Sequence, residues 1–136
     1  MKTKTVLACA AAIGLPLFLL APGRTTKKQR EPFQSRNFAH RGLHTRDKAV
    51  PENSLEAFRL AAEAGYGIEL DVQLSRDGEV VVFHDDTLNR VCGVDERVDA
   101  LDLEQLQKLS LYGSRETIPL FSDVLKTIGG RVPIIV

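Results

Sequence analysis

Cysteine is scarce in these 136 residues: Cys9 lies near the amino terminus and Cys92 far from it, a spacing that excludes a disulfide framework. There is no internal repeat and no low-complexity stretch, so repeat arrays and biased tracts are also excluded. Net charge is absent too, with 18 basic residues balanced by 18 acidic ones. The balance hides an asymmetry, because Gln34–Val136 holds 12 basic against 17 acidic residues, a net of −5. An acidic segment with no basic stripe argues against nucleic acid as a partner. Any anionic ligand would have to be attracted locally.

Thr5–Gly23 is also uncharged, nineteen residues that include "VLACAAAIGLPLFLLA". As a helix this run would be roughly 28 Å long, near the thickness of a bilayer core. A cleaved signal peptide needs small residues at the cut, whereas "LLAPG" offers Leu19 and a proline just beyond Ala21. Lipidation of Cys9 fits poorly, since most of the apolar run follows it. A buried core helix would have to be apolar all round and flanked by six basic residues. The reading is an uncleaved single-span membrane anchor over 1–23, a basic and polar linker over 24–36, and a domain over 37–136. Arg24, Lys27, Lys28 and Arg30 follow the run, and the positive-inside rule then places the domain in the cytoplasm.

Within the domain, "NFAH" reads as a short strand and "RGLHTRDKAVPEN" as a loop. Asn53 is the expected helix cap, with Glu56 completing a variant capping box. The helix "SLEAFRLAAEAG" puts Leu55, Phe58 and Ala62 on one face and ends at Gly65. "GIELDVQLS" alternates strictly, predicting a strand with Ile68, Leu70, Val72 and Leu74 on one face. "RDG" is too short for a parallel crossover, so "EVVVFHD" should return antiparallel around an Asp77-Gly78 turn. "DLEQLQKL" and "FSDVLKTIGG" follow as helices, the second with Ser122 as its cap, and "RVPIIV" reads as a buried strand. The order of elements predicts an α/β domain.

Strand periodicity puts Glu69 and Asp71 side by side. Exposed, they are the wet face of a sheet; drawn together, two carboxylates suit a hard divalent cation. The expected hairpin pairs Asp71 with His84, and directly opposed residues share a face. An imidazole there is suited to general acid or base work near neutral pH. His40 closes the first strand, the end at which α/β folds build their sites. Arg41 offers a planar fork for a phosphate, and Gly42 would let the backbone approach a ligand closely. His44 is assigned to the loop.

"HRG" at His40–Gly42, "PENSLEAF" at Pro51–Phe58, "ELDVQLSRDG" at Glu69–Gly78 and "VVFHDDTLNRVCG" at Val81–Gly93 resemble the glycerophosphodiester phosphodiesterase family in order and spacing. "IPLFSDVL" resembles its next segment. The resemblance runs from about Asn37 to the end of the sequence. It implies a TIM-type (β/α) barrel, present here as its N-terminal part, and hydrolysis of glycerophosphodiesters to glycerol 3-phosphate and an alcohol. His40 and His84 would be the acid–base pair, Arg41 the phosphate contact, Glu69 and Asp71 the ligands of Mg²⁺ or Ca²⁺, and Glu52 a supporting residue. Ser54 stands where threonine is more usual. The family's third metal carboxylate would fall beyond Val136.

A complete barrel takes about 250 residues, and Gln34–Val136 supplies 103. The expectation is therefore an incomplete barrel with little or no activity of its own. Two other functions compete with glycerophosphodiester hydrolysis. One is a lysophospholipase D acting on lipid phosphodiesters beside the bilayer. The other is a non-catalytic module tethered to the membrane.

Overall fold

Backbone pairing decides where the candidate residues lie. The computed structural model describes Gly23 and residues 25–136. Apart from Gly23, the run read as a membrane anchor lies outside the described residues. Among the described residues, no helix is long and apolar enough to cross a membrane.

The chain divides into two units, Met1–Glu31 and Pro32–Val136. In the first, the stretch read as a linker carries one helical turn, α1 (Lys27–Arg30). A capping box forms it: Thr26 Oγ1 accepts from the Gln29 amide, and Gln29 Oε1 accepts from the Thr26 amide at 2.8 Å.

In the second unit, β1 (Phe38–His40) leads through a loop into α2 (Leu55–Glu63) and then β2 (Gly67–Glu69). β1 and β2 pair in parallel, with His40 opposite Glu69. This strand–helix–strand unit continues to β5 (Ile134–Ile135), which lies parallel to β2 and gives the order β1-β2-β5. Between β2 and β5 come an antiparallel hairpin, β3 (Val72–Leu74) and β4 (Val80–Val82), the short helices α3 (Asn89–Cys92) and α4 (Leu103–Leu106), and α5 (Phe121–Ile128). Consecutive parallel strands linked through helices are the repeating unit of a (β/α) barrel.

Two apolar clusters hold these elements. Phe58, Ala61 and Ala62 of α2 pack with Ile68, Leu70, Val82, Val124 and Ile128 in the first. Val81, Phe83, Leu88, Val91, Val98, Leu106, Leu111 and Ile118 form the second. Alternation along β4 sends Val82 to one cluster and Val81 to the other, so both faces of this strand are buried. Cys92 is a half-buried free thiol whose pKa burial pushes up to about 11.

Several local expectations are corrected. The cap of α2 is Ser54, whose Oγ accepts from the Ala57 amide at 3.1 Å and donates to the Pro51 carbonyl at 2.7 Å. Asn53 sits in the left-handed region at φ 55°, where it cannot serve as the extended cap. α5 starts at Phe121 after an extended Leu120, which puts Ser122 inside the helix. The strand β5 is buried only in part, with Val132 just before it buried, Ile134 half-buried and Ile135 44% exposed. Gly42, at φ +82°, makes its close approach to α2 rather than to a ligand site: a Cβ there would come within 2.8 Å of the Ala57 Cβ.

The nine-residue alternating strand is in fact two strands in two sheets. Leu70 N–H donates to Ile135 O of the parallel sheet, while Asp71 O accepts from Phe83 N–H of the hairpin, both at 3.0 Å. The backbone changes partner between adjacent residues. The hairpin register is also one residue away from the expected one, with Val72 opposite Val82. Its turn holds three residues: Ser75 pairs with Glu79, and Gly78 takes φ +84°. Phe83, not His84, is therefore paired with Asp71.

Candidate active site

His40 and Glu69 end adjacent parallel strands in direct register, which brings His40 Nε2 to 3.9 Å from Glu69 Oε2. The His40 ring is mostly exposed, and the Glu69 carboxylate is one-third exposed. Arg41 follows at φ 55°, and its amide donates to the Glu69 carbonyl at 2.9 Å. This bend turns the Arg41 guanidinium inward, where Nη1 donates to Glu52 Oε1 at 2.8 Å and Nε stands 3.5 Å from Asp71 Oδ2.

Glu69, Asp71 and His84 line one open cleft of about 460 Å³, with Gln73, Phe83 and Asp86 beside them. The two carboxylates thus converge as expected, but for a different reason. They share a cleft because the chain bends between two sheets, not because one strand alternates. His84 reaches the same cleft although it is one register step away from Asp71. His44 stays in the loop after β1, as assigned.

Asp71 Oδ2 is buried and accepts no hydrogen bond, and Arg41 Nε is likewise buried without a hydrogen-bond partner. An oxygen with unused lone pairs beside a second carboxylate is the donor chemistry a hard cation takes. Glu69 and Asp71 therefore fit Mg²⁺ or Ca²⁺ as part of a shell that takes six or more oxygens. Among the described residues, no group of three or more His, Cys, Asp or Glu side chains is arranged to hold a metal.

Glu52 is more central than a supporting role suggests. Its side chain is 8% exposed and sits among four polar partners. Oε1 accepts from Arg41 Nη1 and Arg90 Nη2, both at 2.8 Å. Oε2 accepts from Tyr112 Oη at 3.1 Å, with Lys48 Nζ 3.5 Å away. Burial alone would raise its pKa, but hydrogen bonds from Arg90 and Arg41 outweigh burial and hold it well below the usual carboxylate range.

Arg90, Asp85 and Tyr112 were not singled out from the sequence. Arg90 grips Asp85 with two nitrogens, Nε to Oδ2 at 2.6 Å and Nη2 to Oδ1 at 3.0 Å. With the Arg90 hydrogen bond as the main cause, the Asp85 pKa is held down to about 2. Asp85 Oδ1 in turn contacts His84 Nδ1 at 2.6 Å. The signal available in the sequence was "HDDTLNR", which places a carboxylate next to His84 and an arginine five residues beyond that carboxylate.

Residues 40–134 match the Glycerophosphoryl diester phosphodiesterase family. A glycerophosphodiester phosphodiesterase of Caldanaerobacter subterraneus subsp. tengcongensis is 42% identical over 100 residues, covering 68% of this chain and 40% of the relative. One from Bacillus altitudinis is 40% identical over 101 residues, covering 69% of this chain and 40% of its own length. The chain thus spans about 40% of the length of these curated relatives. Among solved structures, an Oleispira antarctica phosphodiesterase in complex with the product sn-glycerol-3-phosphate superposes with a TM-score of 0.66. It is 32% identical, with 76% of this chain and 44% of that one covered.

Proposed function

Because the chain belongs to the glycerophosphoryl diester phosphodiesterase family, we propose that the full-length protein hydrolyses glycerophosphodiesters to glycerol 3-phosphate and an alcohol. One observation carries this reading: His84, Glu69 and Asp71 line a single cleft, with His40 against Glu69 and Arg41 against Asp71. The product bound to the Oleispira enzyme belongs to the same chemical class.

His40 and His84 divide the proton work. One takes the proton of the attacking hydroxyl, and the other returns a proton to the departing alcohol. Attack by water gives glycerol 3-phosphate directly; attack by the neighbouring glycerol oxygen gives a cyclic phosphodiester, which water then opens with the two roles exchanged. Both rings reach solvent, so protons can be exchanged between turnovers. Glu69 places a negative charge 3.9 Å from His40 Nε2, which attracts the ring when it is protonated. Arg41 offsets the charge that builds on the phosphoryl oxygens, and Glu52 holds its guanidinium in place. Glu69 and Asp71 would hold a divalent cation. Such an ion, when bound, supplies positive charge to the phosphoryl oxygens and lets an acidic domain bind an anion.

Glycerophosphodiesters are the proposed substrates in preference to lipid-bearing lysophosphodiesters. Membrane anchoring through residues 1–23, with the catalytic domain on the cytoplasmic side, is proposed from the nineteen-residue uncharged run and the basic residues after it. Fractionation of cells making the full-length protein, followed by protease protection, tests that placement.

The test of activity is release of glycerol 3-phosphate from glycerophosphocholine by the full-length protein, with lysophosphatidylcholine as the competing substrate. His40→Ala and His84→Ala are expected each to lower kcat by about 10²–10⁴-fold. Full activity in either variant would remove that histidine from the mechanism. No hydrolysis of either substrate by the unaltered protein, with Mg²⁺ or Ca²⁺ added, would overturn the function.

A further inference from the structure

Arg90 sits where two otherwise separate contacts meet. Its neighbours Leu88 and Val91 are buried in the second apolar cluster, and Gly93 closes the short helix α3 in the left-handed region. The backbone that carries Arg90 is therefore anchored by packing. From that base its guanidinium holds Asp85 with Nε and Nη2, Glu52 with Nη2, and the Tyr112 hydroxyl with Nη1.

Each acidic partner touches a residue of the proposed chemistry. Asp85 Oδ1 lies 2.6 Å from His84 Nδ1, and Glu52 Oε1 accepts from Arg41 Nη1. A carboxylate adjacent in sequence to a histidine can rotate about its own side-chain bonds and hold the ring loosely. A two-point fork removes that rotation, because both oxygens must stay in the guanidinium plane. Asp85 is ionised near neutral pH, so it accepts, and His84 Nδ1 must carry the proton. Nε2 is then left as the ring nitrogen that exchanges protons.

We infer that Arg90 is a positioning residue that locks His84 and Arg41 into one geometry, through Asp85 and through Glu52 respectively. The inference rests on the proposed phosphodiesterase function, since it assigns Arg90 a task within that site. Arg90 is not among the residues lining the cleft; it acts through the two carboxylates. Lysine could keep a charge near Glu52 but could not hold both Asp85 oxygens in a plane.

The experiment compares the full-length protein with its Arg90→Lys and Arg90→Ala variants and with Asp85→Asn, alone and combined with Arg90→Lys. Glycerophosphocholine kinetics, thermal unfolding and the ¹⁵N resonances of His84 are read for each, with His84→Gln identifying the signals. Arg90→Lys should lower kcat by about tenfold or more and raise KM, while the His84 ring nitrogens lose the Nδ1–H signature. Asp85→Asn added to Arg90→Lys should cost much less in kcat than Asp85→Asn alone, because both act through one contact. If Arg90→Lys only lowers the unfolding temperature, with kcat and the His84 signals unchanged, Arg90 is a stabilising ion pair and the inference fails. Should Arg90→Ala not fold, Arg90→Lys and Asp85→Asn decide. If the unaltered protein hydrolyses neither substrate, the proposed function fails, and the His84 signals still decide whether Arg90 sets the ring.

Discussion

Arg90 Nη2 and Glu52 Oε1 lie 2.8 Å apart although 38 residues separate them in the chain. The same Glu52 oxygen also accepts from Arg41, so one buried carboxylate oxygen bridges two guanidiniums. The arrangement has direction. Glu52 is buried, Arg41 nearly so, and Arg90 reaches in from a side chain that is 44% exposed. Tyr112 closes the far side, donating its hydroxyl to Glu52 Oε2, while Lys48 stands 4.5 Å above its ring. Buried charge of this kind persists only while every partner is in place.

Glu52→Gln should therefore destabilise the protein strongly, by on the order of 3–5 kcal/mol, because two guanidiniums lose their shared anion. Chemical denaturation of the two proteins side by side measures this. Glu52 has a folded-state pKa depressed below its ordinary 4.5. Its contribution is then present above that value and lost as the pH falls below it. Glu52→Gln should have a flatter acid limb in its stability profile, and an acid limb equal to that of the unaltered protein would contradict the assignment.

Asp85 adds its own acid dependence. Its pKa falls from 3.8 to about 2 on folding, chiefly through the Arg90 hydrogen bond. A depressed carboxylate stabilises above its unfolded pKa and ceases to do so as pH falls through the folded one. Melting temperatures between about pH 4 and pH 2 should fall less steeply for Asp85→Asn than for the unaltered protein.

Glu69→Gln and Asp71→Asn remove one carboxylate each from the cleft. Each change should weaken Mg²⁺ or Ca²⁺ binding by about tenfold or more, measured by calorimetric titration, with loss of diesterase activity at limiting metal. Unchanged affinity in both variants would place the cation elsewhere.

Gly42→Ala is expected to cost about 2 kcal/mol or more, through its positive φ and the clash with Ala57. The strain falls on the loop that begins at Arg41, so KM for glycerophosphocholine should rise along with the loss of stability.

Much of the fold was legible because its signals are local. The strand at "FAH", the helix with Phe58 inward, and the antiparallel return through "RDG" each follow from spacing within a few residues. Register was not legible, because two-residue and three-residue turns both accommodate "SRDGE", and one residue decides which side chain stands opposite Asp71. Nor could alternation reveal that "GIELDVQLS" crosses between two sheets: either arrangement buries Ile68 and Leu70 and offers Glu69 and Asp71 to a cleft.

What the sequence by itself determined is the set of candidate groups and their order: His40 and Arg41, Glu69 and Asp71, then His84. Motif spacing carries that information because the members of each pair lie within two residues of each other, whichever elements hold them. Only the tertiary structure decided that Glu52, Asp85, Arg90 and Tyr112 form one network around them. Those contacts span up to 60 residues, and the packing of two apolar clusters, rather than local spacing, brings them within hydrogen-bond distance.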